Sequence, residues 1–152
     1  MTNRSAFLDM IAHSEMGDKL ITETDNGYNV LVGSTPSNPL IFSDYSTHPN
    51  ILNRQFDSTA AGRYQITHPT FLDYCQEVGE IDFGPSAQDM IAEWLVEKSH
   101  AMVDVDAGNF EDAVQACSGR WASLPGSTAG QHVNAMSDLK DVFIAAGGVV
   151  AT

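Results

Sequence analysis

Tyr28-Asn29-Val30-Leu31-Val32-Gly33 decides the fold class. A short apolar run behind an aromatic residue, closed by glycine, reads as a β-strand. Leu40-Ile41-Phe42 is a possible returning strand, and Thr35-Pro36-Ser37-Asn38-Pro39 between them has the composition of a turn or loop. Gly, Pro, Ser, Asn and Asp are frequent throughout 18–59, and apolar runs there are short. This texture predicts a small β lobe, a hairpin with a long irregular segment over 43–59.

The flanks are helical in pattern. Asn3 or Ser5 can cap a first helix running to Glu15 or Met16, with Phe7, Leu8, Ile11 and Ala12 at helical spacing and Gly17 as its stop. Thr67 and Pro69 suit the cap and first turn of a second helix ending at Val78 before Gly79. Pro85 or Ser86 starts the longest candidate, with Ala87, Ile91, Trp94 and Leu95 on one face. Asn109 can cap a short helix through Cys117, and a last helix covers 133–146 before Gly147-Gly148. The fold class is therefore α+β, with a small β lobe (roughly 18–59) inserted in a helical lobe within one domain over 1–152. A cleft between the two parts is the natural place for a ligand.

Length and composition support a globular chain. A chain of 152 residues with 43% hydrophobic and 18% charged residues can build a core without disulfide staples. Cys75 and Cys117 form no C-x-x-C pair and read as small buried apolar residues of a reducing compartment, although the sequence does not exclude a disulfide. A formal net charge of −13 repels phosphate backbones and anionic membrane surfaces, so nucleic acid is a poor partner. No apolar run is long enough to span a bilayer, and the N-terminal stretch lacks a signal-peptide core.

One carboxylate stands out. Ile11 and Leu8 lie one and two turns before Glu15, which puts Glu15 on the apolar stripe at the end of the first helix. Desolvation and the negative end of the helix dipole would both raise its pKa, which suits a general acid. Pattern alone favours the ordinary alternative, a carboxylate snorkelling outward at a fraying helix end. Ala60-Ala61-Gly62-Arg63-Tyr64-Gln65 combines close backbone approach, a ring with a polar tip and an amide suited to sugar hydroxyls. A loop packing Tyr64 into the core is the simpler reading. Phe42-Ser43-Asp44-Tyr45-Ser46-Thr47-His48-Pro49 can line a polar cleft, with Asp44 as a second carboxylate, or be a solvated loop. H-E-x-x-H, G-x-S-x-G and G-x-x-x-x-G-K-[ST] are absent, and the five histidines are scattered singly. Asp104-Val105-Asp106-Ala107-Gly108-Asn109 is not a calcium loop, having its glycine one position early, and reads as a turn.

Taken in order, several segments resemble the family of the bacteriophage lambda endolysin. They are Ala6-Phe7-Leu8-Asp9-Met10-Ile11-Ala12-His13-Ser14-Glu15, Asn26 through Gly33, Phe42 through Pro49, Ala61-Gly62-Arg63-Tyr64-Gln65, Trp121-Ala122-Ser123-Leu124-Pro125-Gly126 and Ala145-Ala146-Gly147-Gly148. The resemblance implies a lysozyme-like fold, a helical lobe and a small β lobe flanking a glycan-binding cleft. It implies a lytic transglycosylase that cuts the MurNAc-β-1,4-GlcNAc bond of peptidoglycan and leaves a 1,6-anhydro sugar. Glu15 occupies the position of the family's catalytic glutamate, and Tyr45, His48, Arg63, Tyr64 and Gln65 are assigned to the substrate cleft by family position. No cofactor or metal is implied. The partners are peptidoglycan glycan strands, without nucleic acid or membrane insertion, and the chain is expected to act as a monomer. The same resemblance implies residence in the host cytoplasm and access to the periplasmic wall through a membrane pore. A hydrolytic muramidase using Asp44, a non-catalytic glycan-binding module and, more weakly, a zinc amidase are the competing readings. Two departures from the family are Ala129 in place of an aromatic residue in the Gly126-to-Gln131 loop, and Thr70-Phe71 in place of paired tryptophans.

The charge makes a further expectation. An acidic protein meets an anionic wall against repulsion that salt screens. Lysis rates, read by turbidity reduction, should rise as salt is added from low ionic strength. A steady fall across that range would contradict this.

Overall fold

The computed structural model describes residues 2–126 and 133–152. Among the described residues there are six helices: α1 (Asn3–Glu23), α2 (His68–Val78), α3 (Pro85–Lys98), α4 (Met102–Ala107), α5 (Phe110–Cys117) and α6 (Met136–Ala145). Contacts divide the chain into two compact units, one of Met1–Glu15 with Ala92–Thr152 and the other of Met16–Ile91. The segment expected as a β lobe falls in the second unit, together with 60–91.

In the first unit, the start of α1 buries the stripe read from its spacing: Phe7, Leu8, Met10, Ile11 and Ala12 are all buried. Phe7 packs edge-on against Phe110 of α5 at 6.2 Å and against Phe143 of α6 at 6.5 Å, and those two rings lie 5.0 Å apart. Trp121, Leu124, Val114 and Leu139 complete the core. Asn3 ties the chain ends together. Its amide donates to the Val105 and Val149 carbonyls, and its oxygen accepts from the Val149 N–H.

α1 does not stop at Gly17 but breaks there and resumes to Glu23. Gly17 has φ 79° and ψ 159°, a backbone state essentially reserved for glycine. A stop signal and a break share the same local chemistry, and the difference lies in whether the chain beyond the glycine turns helical again. The break makes α1, at 21 residues, longer than the 14-residue α3 that was expected to be longest.

The second unit is built on bridges rather than extended strands. Val30 bridges Ile41 and Leu31 bridges Ala61, both antiparallel. The Leu31 N–H donates to the Leu40 carbonyl at 2.8 Å, and the Gly62 N–H donates to the Val30 carbonyl at 2.8 Å. The segment at 29–32 is thus central, between 40–42 and 60–62. Each pairing spans too few residues to make a regular strand, because turn-forming residues crowd both sides. Phe83 anchors the core of this unit, with ring contacts to His48 at 4.8 Å, Phe71 at 5.5 Å and Phe42 at 6.2 Å.

α2 has the bounds expected from its caps. The Thr67 side chain accepts from the Thr70 N–H, and Gly79 closes the helix at φ 96°. α5 likewise starts after Asn109, but the Asn109 side chain donates to Asp104 and does not cap the helix. The turn expected over 104–109 is mostly helix α4, which Gly108 ends at φ 78°. The last helix starts at Met136 instead of 133. The Ala129 departure lies outside the described residues. Among the described residues, no helix is long and apolar enough to cross a membrane.

Candidate active site

Glu15 is half-buried near the end of the first segment of α1, two residues before the break at Gly17. Its Oε2 accepts a hydrogen bond from the Ser123 hydroxyl at 2.7 Å. Burial raises its pKa from 4.5 to about 7, and the Ser123 hydroxyl acts in the opposite direction. The reading of a carboxylate on the apolar stripe therefore describes the side chain better than outward snorkelling.

A polar string stands behind Ser123. Its Oγ lies 2.7 Å from the Ser14 Oγ, and both serines are buried. The Asn134 Nδ2 donates to the Ser14 hydroxyl and carbonyl, each at 3.1 Å, and to the Ser123 carbonyl at 3.2 Å. The Asn134 N–H donates to the same Ser123 carbonyl at 3.0 Å. Spacing gave no sign of this string, because its members come from three separate parts of the chain. Ser123 lay within a segment that carried the family resemblance, but nothing distinguished its hydroxyl. All of these groups belong to the first unit.

The five residues assigned to substrate belong to the second unit. Three of them are largely buried in this unit. His48, Arg63 and Tyr64 are only 3%, 6% and 2% exposed. His48 is hydrogen-bonded through Nε2 to the Ile66 carbonyl at 2.7 Å, and burial pushes its pKa down. The Tyr64 hydroxyl donates to Asp89 Oδ1 at 2.6 Å, and the Tyr28 hydroxyl donates to the same oxygen at 2.8 Å. The Arg63 guanidinium lies over the Tyr28 ring at 5.5 Å and near the Tyr64 ring at 5.8 Å, a cation–π arrangement. Its Nη1 donates to the Asn26 carbonyl at 3.3 Å. Gln88 of α3, fully buried, accepts from the Arg63 N–H and donates to the Tyr28 and Phe83 carbonyls. A Cβ at Gly62 would run into the Gln88 amide, which explains glycine there. Asp89 and Gln88 were missed because they sit in an otherwise ordinary helical pattern.

The other two retain accessible surface. Tyr45 is half-buried and donates through its hydroxyl to Asp25 Oδ2 at 2.6 Å. Gln65, in a left-handed conformation at φ 53°, donates through its side chain to the Gly62 carbonyl at 2.9 Å. Asp44 is exposed and accepts from the Ser46 N–H, which holds its carboxyl below the usual value. Among the described residues, no group of three or more His, Cys, Asp or Glu side chains could hold a metal ion.

The sequence model of the endolysin family matches residues 5–150. The chain belongs to the endolysin family. Among its relatives, the endolysin of Escherichia phage P2 is 38% identical over 98% of this chain and 95% of its own length. The endolysin of Escherichia phage lambda is 40% identical over 97% of this chain and 92% of its own length. The structure of lambda lysozyme complexed with a chitohexasaccharide superposes with a TM-score of 0.89 at 38% identity, covering 98% of this chain and 96% of that one. A second lambda lysozyme structure gives a TM-score of 0.85 at the same identity and coverage. The fold is therefore lysozyme-like, as this endolysin-family sequence implied.

Proposed function

We propose that this chain is a peptidoglycan lytic transglycosylase in which Glu15 acts first as general acid and then as general base. The single observation that carries the reading is the Glu15 carboxyl, half-buried and raised to about 7. Such a group is largely protonated just below neutrality yet able to release its proton. The related lambda lysozyme bound to a chitohexasaccharide supports a glycan as substrate.

The steps balance without water. Glu15 gives its proton to the glycosidic oxygen, and the bond from C1 of N-acetylmuramic acid to that oxygen breaks through an oxocarbenium-like state. The sugar's own 6-hydroxyl attacks C1 while the Glu15 carboxylate takes the hydroxyl proton. The products are a 1,6-anhydro-muramic end and a free 4-hydroxyl on N-acetylglucosamine, and Glu15 is protonated again. An internal nucleophile carries a high effective concentration, so a second carboxylate is not required. Two-carboxylate hydrolases, in contrast, need their acid partner matched by a nucleophile or base.

Tyr45 and Gln65 are proposed to touch the glycan. His48, Arg63 and Tyr64 are proposed for the same substrate cleft, where His48 and Arg63 also hold the Ile66 and Asn26 carbonyls and Tyr64 holds Asp89. We further propose a monomer that waits in the host cytoplasm and meets the periplasmic wall through a membrane pore. Mass spectrometry of released muropeptides tests the reaction. The expected products end in anhydro sugars, one water lighter than reducing ends. Reducing ends alone would show hydrolysis and overturn the proposed reaction.

A further inference from the structure

The string behind Glu15 has a direction. Asn134 faces two carbonyls, Ser14 O and Ser123 O, at 3.1 and 3.2 Å. Carbonyls only accept, so the atom facing them is the amide nitrogen. That nitrogen also reaches the Ser14 Oγ. Because the single Ser123 hydrogen goes to Glu15 Oε2, the hydrogen shared between the two serines, 2.7 Å apart, is the one on Ser14. Hydrogens run one way, from amide to hydroxyl to hydroxyl to carboxyl, and each hydroxyl hydrogen has a named acceptor.

We propose that Ser123 is a positioning residue for Glu15, oriented by Ser14 and Asn134, which keeps the acid proton on Oε1 and caps Oε2 when that proton has left. An oxygen that is already receiving a hydrogen is a poor place for the carboxyl's own proton. The proton therefore resides on the other oxygen, which is the one left to serve a substrate. After transfer, the carboxylate is half-buried, and the Ser123 hydroxyl compensates part of the lost hydration. The string thus serves both halves of the reaction, and the inference rests on the catalytic role proposed for Glu15. Burial and the Ser123 hydroxyl are the causes of the Glu15 shift, and the hydroxyl lowers it. Among the described residues, the segments carrying Ser123 and Asn134 (121–126 and 133–135) contain no titratable side chain, and the flanking ones on α1 are His13 and Asp18.

The test uses the full chain with a soluble peptidoglycan glycan-strand preparation. Ser123→Ala should lower kcat roughly ten- to a hundredfold, with KM within about twofold, as expected for loss of a charge-assisted hydrogen bond. The Glu15 carboxyl, followed by 13C NMR, should titrate at higher pH than in the parent. Ser123→Thr keeps the hydroxyl and should recover most of kcat. Parental kcat and an unmoved midpoint in S123A would overturn the proposal, as would a Thr variant no better than Ala. Should S123A fail to fold, Ser14→Ala carries the test. A fall in kcat of about threefold or more with a raised midpoint is then expected, and parental values would overturn the proposal. The parent role is separable. If Glu15→Gln is fully active, the catalytic reading fails while the NMR midpoint still reports on Ser123. If Glu15→Gln is inactive and S123A is parental, only the positioning role fails.

Discussion

Glu15→Gln is expected to lower the rate of wall lysis by roughly three to four orders of magnitude. General acid–base catalysis by one positioned group is worth about 10²–10⁴-fold, and here a single group serves both steps. Glutamine keeps the shape and can still accept from Ser123 but has no proton to give. The same variant should be more stable than the parent above neutrality, which separates lost chemistry from lost folding. The folded carboxyl titrates near 7 and its unfolded counterpart near 4.5. Between those values the folded state holds a proton that the unfolded chain has released. The stability this lends is complete below the lower value and lost as pH rises through the upper one. At pH 8 the parent therefore carries a half-buried anion that glutamine lacks, a difference on the order of 2 kcal/mol. At pH 4 the difference should vanish. Turbidity reduction and denaturation at the two pH values check both statements. Lysis at the parental rate would remove Glu15 from the mechanism.

Phe143→Ala is expected to cost about 3–5 kcal/mol of stability, in the range for truncating a buried aromatic ring. Phe143 is 2% exposed and touches both Phe7 and Phe110. Gly148 fits against the same ring so closely that a Cβ would collide with it. Removing the ring opens a cavity between Phe7 of α1 and Phe110 of α5. A fall of roughly 10 °C in thermal midpoint is expected, at about 2–4 °C per kcal/mol for a chain of this size. A change of only a degree or two would mean that the three-ring cluster does not carry this unit.

The helix features that depend on local chemistry were legible in the sequence. Thr67, Pro69 and Gly79 bound α2 because capping is decided within a turn. Glu15 stood out because Leu8 and Ile11 fix which side of the helix it occupies, and both are buried. The pairing of 29–32 with 40–42 was visible, but not its reduction to single bridges, since pairing length depends on segments distant in sequence. α4 was hidden by Asp104, Asp106 and Gly108, which have the composition of a turn but end a short helix.

The candidate site was legible only at its first residue. Ser14, Ser123 and Asn134 are small polar residues of no distinctive spacing, and their meaning arises when tertiary structure gathers them. His48, Arg63 and Tyr64 are a different case. Family position marks them, and polar chemistry suggests a binding surface. The structure also gives each of them a protein partner, in Ile66, Asn26 and Asp89. A motif rich in hydrogen-bonding groups marks polar demand and does not reveal whether substrate or protein meets it.

A direct 13C NMR titration of the Glu15 carboxyl in the folded chain probes the proton on which the proposed chemistry depends. The expected midpoint lies near 7, well above the ordinary 4.5. A midpoint at the ordinary value would describe a solvated carboxylate, ionised at neutral pH, and would contradict its role as the acid.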